Sequence, residues 1–346
     1  MIRFNNDYSE GAHPRILEAL GAINFSQNAG YGEDEHCRAA AERIRALAGQ
    51  PDAAVHFLVG GTQANATVID AALRPHQGVL CAETGHICGH ETGAVEATGH
   101  KVLALPARAG KITAEQVEEY CRAHWADASF EHYVQPKMVY LSLPTELGTL
   151  YTKAELEAMR DVCDRRGLYL FVDGARLGYG LAAPACDITL PQLAALCDVF
   201  YLGGTKQGAL FGEAVVLRND ALKADFRYLI KQHGGMLAKG WLLGVQFEEL
   251  LRDDLYFRLA GHADSLAERL RTALGQMGVP FYVDSPTNQL FPILPDGVLE
   301  ALARDYTFTE TARVDEGRRA VRLCTSWATR PEHVEALIAS VQALLT

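Results

Sequence analysis

A chain of 346 residues, 49% hydrophobic and 22% charged, has ordinary globular composition, which excludes a disordered, collagenous or coiled-coil protein. At roughly 100–200 residues per domain it has room for two domains, and it is long enough to bury a core without disulfide or metal staples. Its 32 Lys and Arg against 43 Asp and Glu leave a net charge of −11, which disfavours nucleic acid and anionic membranes, so an anionic ligand must be held by local positive groups.

Taken in chain order, helical and extended patterns alternate through the first two thirds. Val55–Val59 is an apolar run that ends in glycines, and the segment from Thr62 to Leu73 has apolar residues at helical spacing. Gly78–Ala82 and Lys101–Leu105 read as short strands, with a loop and helix over Gly85–Gly99 between them. Thr113–Ala123 is an amphipathic helix with threonine placed as its cap, and Met138–Leu143 is a buried strand. Thr152 caps the next helix, Gly167 closes it, and Leu168–Val172 follows as a strand with Asp173 at its end. Asp198–Leu202 and Glu213–Leu217 are two further strands, with Gly203, Gly204, Thr205 and Lys206 after the first. Continuous apolar strands separated by helices predict an α/β protein with a mainly parallel sheet covered on both faces. Ligands of such sheets lie at the carboxyl ends of the strands, where Gly60, Asp173 and Lys206 fall.

The texture changes after about residue 245. Phe257–Met277 is a long amphipathic helix, Pro280–Val283, Leu290–Ile293 and Ala320–Cys324 look like strands, and Pro331–Leu345 is a closing helix. The expected organisation is a large domain over 1–245, with its first 35 residues contributing to the active site, and a smaller α+β domain over 246–346. Eight cysteines are scattered without a CxxC pair, several of them inside apolar runs where a thiol acts as a small core residue. The amino terminus lacks a basic-then-apolar leader and no stretch reaches ~18 apolar residues, so a soluble cytoplasmic protein is expected.

Five features carry possible chemistry. Gly60-Gly61-Thr62-Gln63-Ala64-Asn65 stands between a strand and a helix, where free N–H groups and the helix dipole attract an anion. It lacks the ending of a nucleotide P-loop and the spacing of a dinucleotide fold, so it suits a single phosphate; it is also compatible with a plain glycine turn. Asp173 leaves a very apolar strand, so a cation is expected nearby. A structural pair with Arg176 or a helix cap is one reading, and Arg176 could equally present its planar fork to a substrate carboxylate. Lys206 in a glycine-rich turn is either a solvated loop lysine or a desolvated amine that condenses with an aldehyde. His86 lies four residues from His90, with Cys88 between and Glu91 adjacent. No third and fourth ligand stand at familiar spacing, so no metal is expected, and the imidazole is free to stack on a flat ligand or act as a base. Arg322 lies on a strand of the small domain, as a surface ion pair or an anion contact.

In order, these features resemble the fold-type I pyridoxal-phosphate enzymes: glycine turn, histidine, strand-end aspartate with arginine three residues on, lysine 33 residues after the aspartate, and a late arginine. Asn6-Asp7-Tyr8-Ser9-Glu10-Gly11-Ala12-His13-Pro14, followed by Gly30-Tyr31-Gly32-Glu33-Asp34, is similar to the threonine aldolase and β-eliminating lyase family, and the resemblance covers nearly the whole chain. It implies an aspartate aminotransferase-like fold and pyridoxal 5'-phosphate as cofactor. It further implies that Lys206 holds the cofactor as an imine and that Asp173 pairs with its ring nitrogen. His86 would stack on the ring, Gly61, Thr62 and Gln63 would hold the phosphate, and Arg176 and Thr205 would contact the cofactor as well. Arg176 and Arg322 would grip the substrate carboxylate, with Asn6 where the family often has serine.

The activity implied is cleavage of L-threonine or related β-hydroxy-α-amino acids, aryl-substituted ones included, to glycine and an aldehyde. A β-eliminating lyase or an aminotransferase is the alternative with the same cofactor, and a non-catalytic phosphometabolite-binding α/β protein is the alternative of another class. A small amino acid is the expected partner, in a homodimer or homotetramer with the site at the subunit interface. The chain departs from the family after its Met138–Leu143 strand, where a histidine is common and Glu146 stands nearby, and at Thr325-Ser326, where a Thr-His pair is common. Leu237 stands where an arginine is usual, so Lys231 or Lys239 is expected to supply that charge.

Overall fold

The computed structural model describes residues 1–345. Seven strands form the central sheet: β1 (Ala54–Leu58), β2 (Gln77–Ala82), β3 (Lys101–Leu105), β4 (Gln135–Ser142), β5 (Tyr169–Asp173), β6 (Val199–Gly203) and β7 (Glu213–Leu217), in spatial order β1-β7-β6-β5-β4-β2-β3. The contacts β2–β3, β2–β4, β4–β5 and β5–β6 are parallel, whereas β7 runs antiparallel to both β6 and β1. Strands β5 to β7 are buried almost throughout, as a sheet covered on both faces requires.

Helices α1 (Glu35–Ala48), α2 (Gly61–Ala72), α3 (Lys153–Arg166) and α4 (Trp241–Leu250) cover the sheet, α2 on one face and the other three on the opposite face. Strand alternation divides the core between them: Val139, Leu141, Leu170 and Val172 face one way, Met138, Tyr140, Phe171 and Tyr201 the other. Local sequence explains where the helices begin and end. Thr152 accepts from the Glu155 N–H at 3.2 Å and its own N–H donates to Glu155 Oε2 at 2.7 Å, a reciprocal cap, while Gly167 ends α3 at φ 64°.

A second core gathers α5 (Leu255–Gln276) and α6 (Pro331–Leu345) on a small sheet of β8 (Gln289–Leu290), β9 (Ile293–Pro295), β10 (Thr309–Arg313) and β11 (Arg318–Cys324). Two expectations fail here. Pro280–Val283 is not a strand: only Phe281 bridges to Pro292, and Pro280 has no N–H for a ladder. The run Leu290–Ile293 is split between β8 and β9, which pair with different stretches of β11. The amino terminus also begins in this unit. Ile2 and Arg3 pair in parallel with Tyr306 and Thr307, and Phe4 is fully buried in the second core. From there the chain crosses to the central sheet, where the His13 N–H donates to Gly208 O at 2.8 Å, two residues beyond Lys206.

Candidate active site

The carboxyl ends of β1, β4, β5 and β6 surround a cavity of about 300 Å³ lined by Gly61, Thr62, His86, Asp173, Arg176 and Lys206, among others. Its floor is Asp173, 5% exposed. Oδ2 accepts from the Tyr140 hydroxyl and from Asn65 Nδ2 at 3.1 Å, and Oδ1 accepts from the Ala175 N–H at 2.9 Å. Burial alone would raise its pKa. The Tyr140 and Tyr201 hydroxyls, the Ala175 N–H and His86 outweigh burial and hold it below the usual carboxylate range. Asp173 is therefore kept ionised without a salt bridge, and the pairing with Arg176 weighed from sequence does not form.

Arg176 turns instead to Asp7, with Nε and Nη2 at 2.7 and 3.0 Å from the two carboxylate oxygens. Asn288 Nδ2 also donates to Asp7 Oδ2, at 2.9 Å. Burial would raise the Asp7 pKa, but Arg176, Lys206 and the two hydrogen bonds bring it down to about 2. One edge of the Arg176 fork is thus committed to the protein, and the residue still lines the cavity.

Lys206 follows β6 in the turn that sequence singled out, and its backbone carbonyl accepts from the Tyr179 hydroxyl. Its amine makes no hydrogen bond or ion pair with the described residues. Burial and the Arg176 cation lower its pKa, against the pull of Asp7, Asp173 and Glu213. A partly desolvated amine of this kind is a nucleophile.

Helix α2 begins at the cavity without a side-chain cap, and its first intrahelical bond is Ala64 N–H to Gly60 O at 3.0 Å. The N–H groups of Gly61, Thr62 and Gln63 precede that bond and are free to meet an anion. A Cβ on Gly61 would stand 3.2 Å from the Tyr201 hydroxyl, so glycine keeps this approach open. The Gln63 side chain is spent elsewhere, accepting from Val59 N–H at 3.1 Å and donating to His233 O at 2.9 Å. Thr205 is engaged too: its hydroxyl donates to Glu213 Oε1 at 2.9 Å and accepts from the Gly212 N–H at 3.0 Å.

His86 Nδ1 lies 2.7 Å from Oε1 of the buried Glu91, and Asn65 Nδ2 bridges that same oxygen, at 2.7 Å, to Asp173. His90, weighed with His86 as a metal pair, packs its ring 5.7 Å from that of His86. Glu146, where a histidine is usual, lines the cavity with Ser142; its Oε1 accepts the Ser142 hydroxyl at 2.6 Å and the His86 N–H at 2.9 Å. Burial is the first cause that raises its pKa.

Asn6 and Arg322 stand outside the lining of this cavity. The Asn6 side-chain oxygen accepts from the Tyr8 N–H and the Ser9 hydroxyl, a turn that presents Tyr8 to the cavity. Arg322 donates to Asn5 O at 3.1 Å, keeps its buried Nε without a partner, and joins burial and His86 in lowering the His90 pKa. Lys231 packs over the Tyr31 ring at 5.2 Å, and neither it nor Lys239 reaches the cavity lining. The residues that sequence reasoning did not single out are Asp7, Asn65, Tyr140, Tyr201 and Glu213. Each left a faint trace: an amide on the buried side of α2, tyrosines and a glutamate in strands otherwise apolar, and an aspartate within the amino-terminal motif.

The family model for β-eliminating lyases matches residues 8–295. A low specificity L-threonine aldolase of a Pseudomonas species is 31% identical over 351 residues, covering 99% of this chain and 98% of that protein. The solved structure of a threonine aldolase of Leishmania major superposes with a TM-score of 0.97 and 45% identity over 100% of both chains. An aspartate aminotransferase of Thermus thermophilus shares the fold at 16% identity, with a TM-score of 0.72 over 100% of this chain and 92% of that one.

Proposed function

The chain belongs to the β-eliminating lyase family, and from that premise we propose that it is a pyridoxal-phosphate-dependent aldolase. It cleaves L-threonine and related β-hydroxy-α-amino acids, aryl-substituted ones among them, to glycine and an aldehyde. The observation that carries this reading is one cavity holding the unpartnered amine of Lys206, the ionised Asp173 and the uncapped start of α2. Those three fit an aldehyde, a protonated ring nitrogen and a phosphate in turn. The cofactor supplies an electrophilic carbon for an amine and a ring that draws electrons from a breaking bond at Cα.

The protein's own groups do the rest. Lys206 would offer a desolvated amine to the cofactor and, once released from it, could carry a proton to Cα. Asp173 would hold the proton on the ring nitrogen, while the N–H groups of Gly61, Thr62 and Gln63, with Thr205, would bind the phosphate. Arg176, which lines the cavity, would orient the substrate carboxylate and so set which Cα bond is aligned to break, with Arg322 and Asn6 joining it from outside the present lining. His86 would stack on the cofactor; with Nδ1 committed to Glu91, its Nε2 would be one acceptor for the β-hydroxyl proton, and Glu146 Oε2 a second. Loss of that proton as Cα–Cβ breaks leaves the β-carbon as the aldehyde.

The same reading includes a homodimer or homotetramer with the site at the subunit interface. In its support, Phe25 is 96% and Tyr228 76% exposed on the single chain, which an adjoining copy would cover. No helix among the described residues is long and apolar enough to cross a membrane; a cytoplasmic location completes the proposal. Incubation with DL-threonine, phenylserine, serine and cysteine, followed by assays for glycine, aldehyde, pyruvate and keto acid, tests the activity. Glycine with an equivalent of aldehyde is expected. Pyruvate without glycine points to β-elimination and overturns the aldolase, a keto acid points to transamination, and a colourless protein inert to all four points to a phosphometabolite binder.

A further inference from the structure

Glu213 is the one carboxyl of the cavity to which the mechanism above gives no task. Topology brings it there. Because β7 runs antiparallel, its first residue arrives at the edge where β6 and β1 end, paired with Gly203 on one side and Leu58 on the other. It is 4% exposed. Its Oε2 accepts the Gly204 N–H at 3.1 Å and its Oε1 accepts the Thr205 hydroxyl at 2.9 Å, while Thr205 Oγ accepts the Gly212 N–H.

With Glu213 ionised, this arrangement is hostile to a phosphate. The Thr205 proton is spent on Glu213, and a negative charge lines the cavity that the N–H groups of α2 line from another side. One proton from solvent, added at Oε1, reverses the situation. The new acid O–H donates to Thr205 Oγ, Oε2 remains a carbonyl that accepts from Gly204, and the Thr205 hydroxyl turns its hydrogen to the anion. Thr205 Oγ has two lone pairs, one for Gly212 and one for Glu213, so every donor and acceptor is satisfied in both states. Only the proton count and the direction of the Glu213–Thr205 bond differ.

We propose that Glu213 is a positioning residue that stays protonated while a phosphate group occupies the cavity, taking up a proton on binding wherever it is ionised beforehand, and that neutral Glu213 converts Thr205 into a donor to that phosphate. The proposal rests on the reading that this cavity holds the phosphate of pyridoxal phosphate. Its surroundings favour it. Burial, the leading cause, lifts the Glu213 pKa to about 8, with Lys206, Thr205 and the Gly204 N–H pulling it down and Asp173 pushing it up. The other titratable groups that feel its charge are the buried hydroxyls of Tyr201 on β6 and Tyr256 on α5.

Glu213→Gln separates the two states, because its amide can donate to Thr205 Oγ while its carbonyl accepts from Gly204, as the neutral acid would. The full-length apoprotein is titrated with pyridoxamine 5'-phosphate, which carries the phosphate but no aldehyde, at pH 7 and pH 9 in two buffers of different ionisation enthalpy. At pH 9 the wild type is expected to take up about one proton more than E213Q, and its affinity should fall about tenfold per pH unit above 8 relative to the variant. Thr205→Val should weaken binding about tenfold at pH 7, the loss of one hydrogen bond to an anion. Equal proton uptake, parallel affinity profiles, or an E213Q protein that binds more weakly than wild type at pH 7 would overturn the proposal. A wild type that gains a band near ~420 nm with pyridoxal phosphate yet shows no extra proton refutes this role alone; a wild type without the band refutes the cofactor reading, and this role with it.

Discussion

The Asp7–Arg176 pair gives the sharpest quantitative expectation. Asp7→Asn keeps the shape of the side chain but removes its charge and one acceptor. In either orientation the amide nitrogen would face a donor of the Arg176 guanidinium, and in one of them Nδ2 of Asn288 as well. Two routes give the cost. The Asp7 carboxyl titrates at about 2 rather than 3.8, which corresponds to ~2.5 kcal/mol of folded-state preference for the ionised form. Removing one partner of a buried ion pair costs about 3–5 kcal/mol, because the other charge is left unpaired. D7N is therefore expected to lose ~2.5–5 kcal/mol, read as a lower urea midpoint with an unchanged slope. The sign in pH follows from the depressed pKa: the wild type has this contribution in full above about pH 4 and loses it as pH falls toward 2, whereas D7N lacks that acid limb. Replacing both partners, as in D7L/R176M, should recover part of the loss, since no buried charge remains. A D7N protein within ~0.5 kcal/mol of wild type, well inside the range of innocuous surface changes, would refute the reasoning.

Three further outcomes follow from the same geometry. Lys206→Ala should be colourless with pyridoxal phosphate, while borohydride bleaches the ~420 nm band of the wild type and fixes the mass to a peptide containing residue 206; a bleachable band in K206A would contradict the assignment. Asp173→Asn should lower kcat about 10²–10³-fold, the scale on which one fixed electrostatic partner of a transition state matters, with little change in cofactor content. Glu146→Gln should slow cleavage of β-hydroxy amino acids about 10²-fold. It should also shift the acid limb of the pH–rate profile while glycine binds as before; weakened glycine binding would instead mark Glu146 as a carboxylate-site residue.

Much of the architecture was legible because it is local. Threonine caps, closing glycines and runs of apolar residues each act over a few positions, and they placed α3, β5, β6 and β7 to within a residue or two. Where local signals conflict, as in Pro280–Val283, an apolar run read as extended makes a single bridge, since it opens on a proline with no N–H to donate. The positions of Gly61, Asp173 and Lys206 were readable for a related reason. A parallel sheet puts its strand ends on one edge, so residues just past those ends share a cavity whatever their separation along the chain.

Partnership was decided elsewhere. Arg176 has an aspartate three residues before it and binds instead one 169 residues away; Asp173 takes its amide donor from α2, 108 residues distant. Glu213 enters the site only because a single strand runs against the others. Composition and periodicity report what each residue does for its own element, and they carry no record of which side chains the sheet order brings face to face. The sequence by itself determined the strands, the helices and the chemistry on offer; tertiary packing alone decided which charges neutralise one another, and hence which groups are left free to react.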